Sequence, residues 1–162
     1  MIHKQVCLII EGDFFLNYHE AERKIKDIIS QKNSSVLSDV IDFLFDNFDH
    51  YSWIGIYVVR GNDLILGPWR GPQATDHTKI TVGKGICGSA AATGKTEVID
   101  DVSSDDRYLS CFISTKSEIV VPIKKRNSVI AEIDIDSDKK NAFTKDDKKF
   151  LEKIADMLSK HI

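Results

Sequence analysis

The sequence predicts an α+β domain in which helices flank a mostly antiparallel sheet. Apolar residues recur at helical spacing near both ends of the chain, and short segments rich in aromatic and β-branched residues fill the middle. The 162 residues contain no repeat, linker or low-complexity stretch, which is enough chain for one core and not for two. We therefore expect a single domain over residues 1–162, without an attached effector domain.

The N-terminal part of the chain is predicted to be helical. Residues 17–31 carry apolar side chains along one side, and residues 36–48 repeat them at helical spacing after a serine that can cap the helix, Ser34 or Ser35. We interpret residues 1–33 as an N-terminal extension that contains the first helix, followed by a core over residues 34–162.

The middle of the chain alternates between strands and turns. A short helix over residues 86–93 ends at Gly94, and the final helix begins after Thr144 with Asp147 in a variant of the capping box. The last two strands form the clearest hairpin. The predicted strands are 51–60, 64–70, 78–82, 96–100, 118–125 and 129–136.

Charge and composition exclude several classes of protein. The formal net charge is −3 with both signs interspersed, so no basic surface is offered to nucleic acid. No apolar run reaches the length that crosses a membrane, and the first residues do not resemble a secretory leader. We therefore expect a cytoplasmic protein with neither nucleic acid nor membrane as a partner.

The three cysteines, Cys7, Cys87 and Cys111, form neither a disulfide framework nor a zinc-binding set, because their number is odd and their spacing irregular. Taken alone, they are typical of buried small hydrophobic residues. Cys87 differs in its surroundings, since glycines precede it at the start of a predicted helix. Backbone amides there can converge on an anion, and the helix terminus would lower the thiol pKa. The alternative is a tight turn with Cys87 packed beneath it.

Two acidic residues lie two apart on the last predicted strand. Asp134 and Asp136 therefore project from one face, and Glu118 at the start of the partner strand can join them. Like charges so close favour a cation between them. An organic ammonium group suits such a cluster, whereas a hard metal ion usually requires more oxygen ligands, so we expect no metal. The alternative is an ordinary solvated sheet face.

Trp53 and Tyr57 share one face of the first predicted strand, opposite an aliphatic face that can supply the core. The pair can line a pocket wall suited to a small apolar group such as an S-methyl, or it can pack under a covering helix. Together with the anion-binding turn and the acids, this wall would suit a zwitterionic amino acid with a sulfur side chain. Other small zwitterions remain compatible with the pattern.

Six stretches in this order resemble the GAF-domain family of free methionine-(R)-sulfoxide reductases. They cover roughly residues 50–160 and read YSWIGIYVV, LILGPWRG, ITVGKGICGSA, IDDVSSDDRYLSC, SEIVVPI and AEIDIDS. The resemblance implies reduction of free L-methionine-(R)-sulfoxide by cysteine chemistry, without a metal or organic cofactor. It also implies an external dithiol of the thioredoxin type as reductant, and a homodimer.

The resemblance further implies a role for each matching residue. Cys111 aligns with the catalytic cysteine of the family and Cys87 with a second cysteine at the pocket. The acids hold the substrate ammonium group and assist proton transfer, with either Glu118 or Asp136 as the proton donor. The implied substrate contacts are Asp134, Trp53 against the methyl group, Tyr57, and the backbone amides near Gly85 and Ile86.

One loop departs from the family pattern. The family commonly has a further cysteine before the strand that leads into the glycine turn, and this cysteine resolves the oxidised catalytic one. Here the loop 71–79 reads GPQATDHTK and contains no cysteine, while Cys7 has no counterpart. Either Cys87 or an external thiol takes the resolving role, or turnover is lost. In the last case the chain would be a non-catalytic GAF module that binds a small metabolite.

Overall fold

The computed structural model describes residues 17–162 and confirms the α+β prediction, with four helices around one antiparallel sheet. Cys7, and the predicted extension before residue 17, lie outside this range. The helices are α1 (Tyr18–Ser30), α2 (Val36–Asn47), α3 (Gly85–Thr93) and α4 (Lys145–Leu158). The strands are β1 (Trp53–Arg60), β2 (Asp63–Arg70), β3 (Lys79–Thr81), β4 (Glu97–Ile99), β5 (Ser117–Lys125) and β6 (Ser128–Ser137).

The sheet has the strand order β3-β2-β1-β6-β5-β4, so the two long strands β1 and β6 lie side by side at its centre. The start of α4 and the bounds of the other helices and strands agree with the predicted ones to within two residues. One short element was not predicted: residues Val102–Ser104 form a 3-10 turn in the polar loop after β4. No helix among residues 17–162 is both long enough and apolar enough to pass through a bilayer.

The two predicted caps differ in outcome. Thr144 and Asp147 form the reciprocal capping box at the start of α4, as predicted. Ser35 is the N-cap residue of α2, but its hydroxyl bonds the side chains of Asn33 and Asp39 instead of a helix amide. The predicted side-chain cap of α2 is therefore wrong.

The alternation of β1 divides the molecule into two layers. Ile54 and Ile56 point to the sheet face that α1, α2 and α4 cover, where they join the larger apolar core. Trp53 and Tyr57 point to the opposite face, together with α3 and the loops around it. We call this second face the site face, because it carries the side chains that the sequence singled out.

Candidate active site

The acids of β6 are buried at the centre of the site face. Asp134 and Asp136 are 2% and 3% exposed, and Glu118 of β5 lies directly opposite Asp136 in the strand register. The three predicted acids are therefore brought together, and the solvated-face interpretation is wrong. Glu132, which the sequence analysis did not select, is 0% exposed and extends the row by two residues on the same face.

These four carboxyl groups, which we call the acid cluster, have no cationic partner in the part of the chain that is described. None of the ion pairs found there involves Glu118, Glu132, Asp134 or Asp136. Both oxygens of Glu132 and one oxygen each of Asp134 and Asp136 are buried without a hydrogen bond. Buried charges are normally paired, so the acid cluster is incomplete as a structural feature.

Burial sets the protonation of the acid cluster. Loss of solvent raises the pKa of Asp134 to about 7, and it raises the pKa values of Glu118, Glu132 and Asp136 well above their usual range. The neighbouring carboxyl groups add to the shifts of these last three pKa values by repulsion. The cluster can therefore donate protons near neutral pH, and it gains free energy by binding a cation.

Cys87 is buried in the first turn of α3, and its thiol donates to Glu118 Oε1 at 3.8 Å. Burial raises the pKa of this thiol well above its ordinary value, and the charges of Asp134 and Glu132 raise it further. The prediction that the helix terminus lowers the pKa of Cys87 is therefore wrong, because desolvation and nearby acids outweigh the helix dipole. Cys87 is instead packed beneath the turn, as the alternative had it.

The turn before α3 also carries the two residues whose amides were selected. Gly85 begins the helix with φ at +72°, and a side chain there would collide with Leu109. Ile86 packs into the apolar cluster of the site face. The side chain of the N-cap residue, Lys84, makes no capping bond, so it leaves the amides of the first turn to other partners. This turn meets the acid cluster through Cys87.

Cys111 lies half-buried in the loop that precedes β5. Its Sγ is placed to donate to the carbonyl oxygen of Leu109 at 3.5 Å. Burial raises the pKa of this thiol above its ordinary value, and repulsion from Asp134, Asp136 and Glu118 raises it further. The predicted nucleophile is therefore beside the acid cluster, in surroundings that disfavour its thiolate.

His77 is a site residue that the sequence analysis missed. Its Nδ1 lies 3.2 Å from Cys111 Sγ, although the two residues are 34 apart in the chain. The Tyr57 hydroxyl donates to the His77 carbonyl oxygen at 2.7 Å, and the His77 amide donates to Thr75 Oγ1 at 3.1 Å. The buried Tyr57 thus lines the site face, as predicted, with its hydroxyl committed to the loop that carries His77.

Trp53 forms the aromatic wall of the site. Its ring packs beside Trp69 and Phe112, with centroids 6.2 and 5.8 Å away. It also lies against Gly55 and Gly71, since a β-carbon on either glycine would overlap the ring. A cavity of about 30 Å³ adjoins Trp53, Phe112 and Asp136, which is the space of about one water molecule. The aromatic wall therefore borders open space beside one acid of β6.

The site can hold either of two kinds of cation. An ammonium group would satisfy the unpartnered carboxyl oxygens. Sγ of Cys87 and one oxygen each of Glu118 and Asp134 also lie within 4.8 Å of one another, a sulfur and oxygen set that suits a divalent ion such as Zn²⁺. This set differs from the all-oxygen set considered from the sequence. The expectation that no metal is required stays a prediction.

Comparison with known proteins places the chain among relatives of similar length. The model of the GAF domain matches residues 34–162. Free methionine-R-sulfoxide reductase of Escherichia coli is 30% identical over 145 residues, which cover 88% of this chain and 87% of the relative. The structure of type II free methionine-R-sulfoxide reductase from Thermoplasma acidophilum is 38% identical with a TM-score of 0.75, over 84% of this chain and 92% of that one. The structure of free methionine-R-sulfoxide reductase from Neisseria meningitidis, in complex with its substrate, is 30% identical with a TM-score of 0.84. The match covers 92% of this chain and 90% of that one.

Proposed function

Because the chain belongs to the GAF-domain family and, within it, to the free methionine-R-sulfoxide reductases, which are oxidoreductases, we propose that it reduces free L-methionine-(R)-sulfoxide to methionine. One observation carries the proposal: the half-buried thiol of Cys111 lies beside four buried carboxyl groups without a cationic partner among residues 17–162. A thiol reductant and an ammonium site are thereby adjacent, which is the arrangement that an amino-acid sulfoxide requires.

Substrate recognition follows from the chemistry of the site face. The acid cluster, and Asp134 in particular, receives the substrate ammonium group, which replaces the missing cationic partner. Trp53 lies against the substrate methyl group, since an aromatic ring packs well beside a methyl-sulfur group. The amides near Gly85 and Ile86 bind the polar oxygens of the substrate at the start of α3.

The chemical step transfers one oxygen atom from substrate to enzyme. The Cys111 thiolate attacks the sulfoxide sulfur, the substrate S–O bond breaks, and an S–O bond forms on Cys111. The sulfur of Cys111 loses two electrons and the substrate sulfur gains them, so methionine leaves and a sulfenic acid remains. One proton ends on the transferred oxygen. Glu118 and Asp136 can supply it, because burial raises their pKa values and keeps them protonated.

Regeneration requires a second thiol. We assign this role to Cys87, which condenses with the sulfenic acid to form a disulfide and release water. Cys87 and Cys111 share acidic neighbours, since Asp134 and Glu118 raise the pKa values of both thiols and the charge of Cys111 raises that of Cys87 further. An external dithiol of the thioredoxin type then reduces the disulfide by exchange.

The remaining features of the proposal concern partners and location. No metal or organic cofactor takes part, since the thiols supply both electrons of the reaction. The protein acts as a homodimer in the cytoplasm, where a reducing environment keeps Cys87 and Cys111 available as thiols. We propose neither nucleic acid nor a membrane as a partner.

Substrate selectivity tests the proposed function directly. With dithiothreitol as reductant, free L-methionine-(R)-sulfoxide should be reduced, and the N-acetylated form should have a kcat/KM lower by about 100-fold or more, because acetylation removes the charge that the acid cluster binds. The (S) isomers of the free and N-acetylated compounds should react as poorly as the N-acetylated (R) isomer. Methionine release is followed by chromatography. Similar rates with the free and N-acetylated (R) isomers would contradict the proposal.

Replacement of Cys87 tests the regeneration step. Cys87→Ser should retain the first turnover, because Cys111 performs it, and should lose about 10-fold or more of the steady rate with thioredoxin, since no disulfide forms. A dimedone adduct on Cys111 should accumulate in the variant. Cys7→Ser, which alters the remaining cysteine, is the matched control. A steady rate for Cys87→Ser within twofold of the parent protein would assign resolution to an external thiol.

A further inference from the structure

The proposed reaction begins with a thiolate that the surroundings of Cys111 oppose. Burial and the carboxyl groups of Asp134, Asp136 and Glu118 all raise the pKa of this thiol. Only the thiolate is a good nucleophile toward sulfur. The site therefore requires a group that accepts the thiol proton and places positive charge beside the sulfur, and the acid cluster supplies negative charge instead.

His77 is in position to do this. Its Nδ1 lies 3.2 Å from Cys111 Sγ, within the range of a hydrogen bond to sulfur. Among residues 17–162, the other groups that hydrogen-bond this thiol are the Leu109 carbonyl oxygen and the Thr75 hydroxyl, and neither can accept the thiol proton and carry positive charge. An imidazole accepts a proton near neutral pH and then stabilises an adjacent thiolate as an ion pair.

Two bonds to the backbone of residue 77 hold the ring in place. The Tyr57 hydroxyl binds the carbonyl oxygen of this residue, and Thr75 Oγ1 accepts its amide. Thr75 is buried, and Tyr57 belongs to the central strand β1, so the loop is tied to the rigid part of the sheet. The position of the ring beside Cys111 is therefore fixed by groups that do not depend on the identity of the side chain at 77.

We propose that His77 is a catalytic residue that takes the proton of Cys111 and holds the resulting thiolate as an ion pair. In the first step the S–H bond of Cys111 breaks and an N–H bond forms at Nδ1, which gives a thiolate and an imidazolium. In the second step the thiolate attacks the sulfoxide sulfur, and Glu118 or Asp136 gives its proton to the oxygen that becomes the sulfenic hydroxyl. The imidazolium then releases its proton, which returns the ionised acid to its protonated form. No net proton is consumed. This inference deepens the proposed function and rests on it.

The inference also gives a role to the loop that lacks the cysteine expected from the resemblance. This loop, residues 71–79, contributes an imidazole at the nucleophile instead of a thiol. A disulfide from the loop to Cys111 therefore cannot form, so resolution falls to another thiol, and among residues 17–162 this is Cys87. Several titratable groups face Cys111 from the surrounding elements, namely Tyr57 of β1, Cys87 of α3, Glu118 of β5, Asp134 and Asp136 of β6, and Tyr108 of its own loop.

Because so many groups titrate near Cys111, the test compares variants and does not interpret one pH profile alone. His77→Asn keeps both backbone bonds and an amide near Sγ but cannot carry charge, and His77→Ala removes the side chain. His19→Asn, on the exposed face of α1, is the matched histidine control. Alkylation of Cys111 by iodoacetamide, followed by peptide mass spectrometry from pH 5.5 to 10.5, measures the thiolate directly and requires no substrate.

Both His77 variants should alkylate at Cys111 about 10-fold or more slowly than the parent protein at pH 7, and the midpoint of the profile should rise by about one pH unit or more. His19→Asn should match the parent. The circular dichroism spectra and melting temperatures of the variants should match those of the parent, which shows that they remain folded. A profile for His77→Asn within twofold of the parent at every pH would overturn the inference, even with reductase activity intact. Absence of reductase activity in the parent, with the His77 effect present, would instead refute the proposed function alone.

Discussion

Cys111→Ser should lower the reduction of free L-methionine-(R)-sulfoxide by about a thousandfold or more, the largest loss expected from any single replacement in the chain. The hydroxyl of serine is a poor nucleophile toward sulfur. Its oxygen also cannot take up the substrate oxygen, whereas the cysteine sulfur does so and becomes a sulfenic acid. The replacement therefore removes the atom that supplies both electrons. Dithiothreitol-supported release of methionine, followed to several turnovers, measures the loss.

The same variant should retain its affinity for ligands, because a hydroxyl is close in size to the half-buried thiol and the acid cluster is untouched. Thermal stabilisation by free methionine, which carries the ammonium group without the sulfoxide, should therefore be similar in Cys111→Ser and the parent protein. Cys87→Ser is the control for removal of a thiol in the same pocket, since it should keep the first turnover. Unchanged activity in Cys111→Ser would refute its assignment as nucleophile.

The fold could be predicted from the sequence because its signals are local. The alternation along β1 separates the aliphatic core face from Trp53 and Tyr57, and the capping residues mark where α4 begins. The same alternation places Asp134 and Asp136 together. Extended by two residues, it would also have placed Glu132, which follows a buried alanine on the same strand. Glu132 could therefore have been identified from the alternation of the strand in the sequence.

The contact between His77 and Cys111 could not have been predicted in this way. The two residues lie in separate loops without periodicity, and they meet because Tyr57 and Thr75 bind the backbone of residue 77. The pKa of Cys87 was missed for a related reason. Its place at a helix terminus is visible in the sequence, but burial beside acids that come from other strands is a consequence of packing.

The acid cluster exposes a conflict between stability and binding. The pKa of Asp134 is about 7 in the folded protein and roughly 4 in an unfolded chain. Between these two pH values the folded protein therefore holds a proton on Asp134 that the unfolded chain lacks. The unfolding free energy therefore decreases as pH rises from about 4 to about 7, and Asp134 makes this contribution. The higher pKa values of Glu118, Glu132 and Asp136 extend the decrease above pH 7.

Asp134→Asn should stabilise the substrate-free protein, because it removes the charge of Asp134. The amide preserves the shape of the carboxyl group, is neutral at every pH, and can donate to the neighbouring acids. The substrate-free variant should be about 1–2 kcal/mol more stable than the parent at pH 8, which raises the melting temperature by a few degrees, and the difference should shrink toward pH 5. Calorimetric melts at several pH values measure the effect.

Substrate binding should respond in the opposite direction. Loss of one carboxylate from the ammonium site should reduce kcat/KM for free L-methionine-(R)-sulfoxide by about 100-fold, mostly through KM, because truncating a buried charge partner costs about 2–5 kcal/mol. Asp27→Asn, at an exposed position of α1 on the opposite face of the sheet, is the matched control and should change neither quantity. Lower stability of Asp134→Asn at pH 8 would contradict the destabilising effect of the Asp134 charge. Full catalytic efficiency in this variant would show that the acid cluster is not the ammonium site, and its unpartnered oxygens would then require another cation.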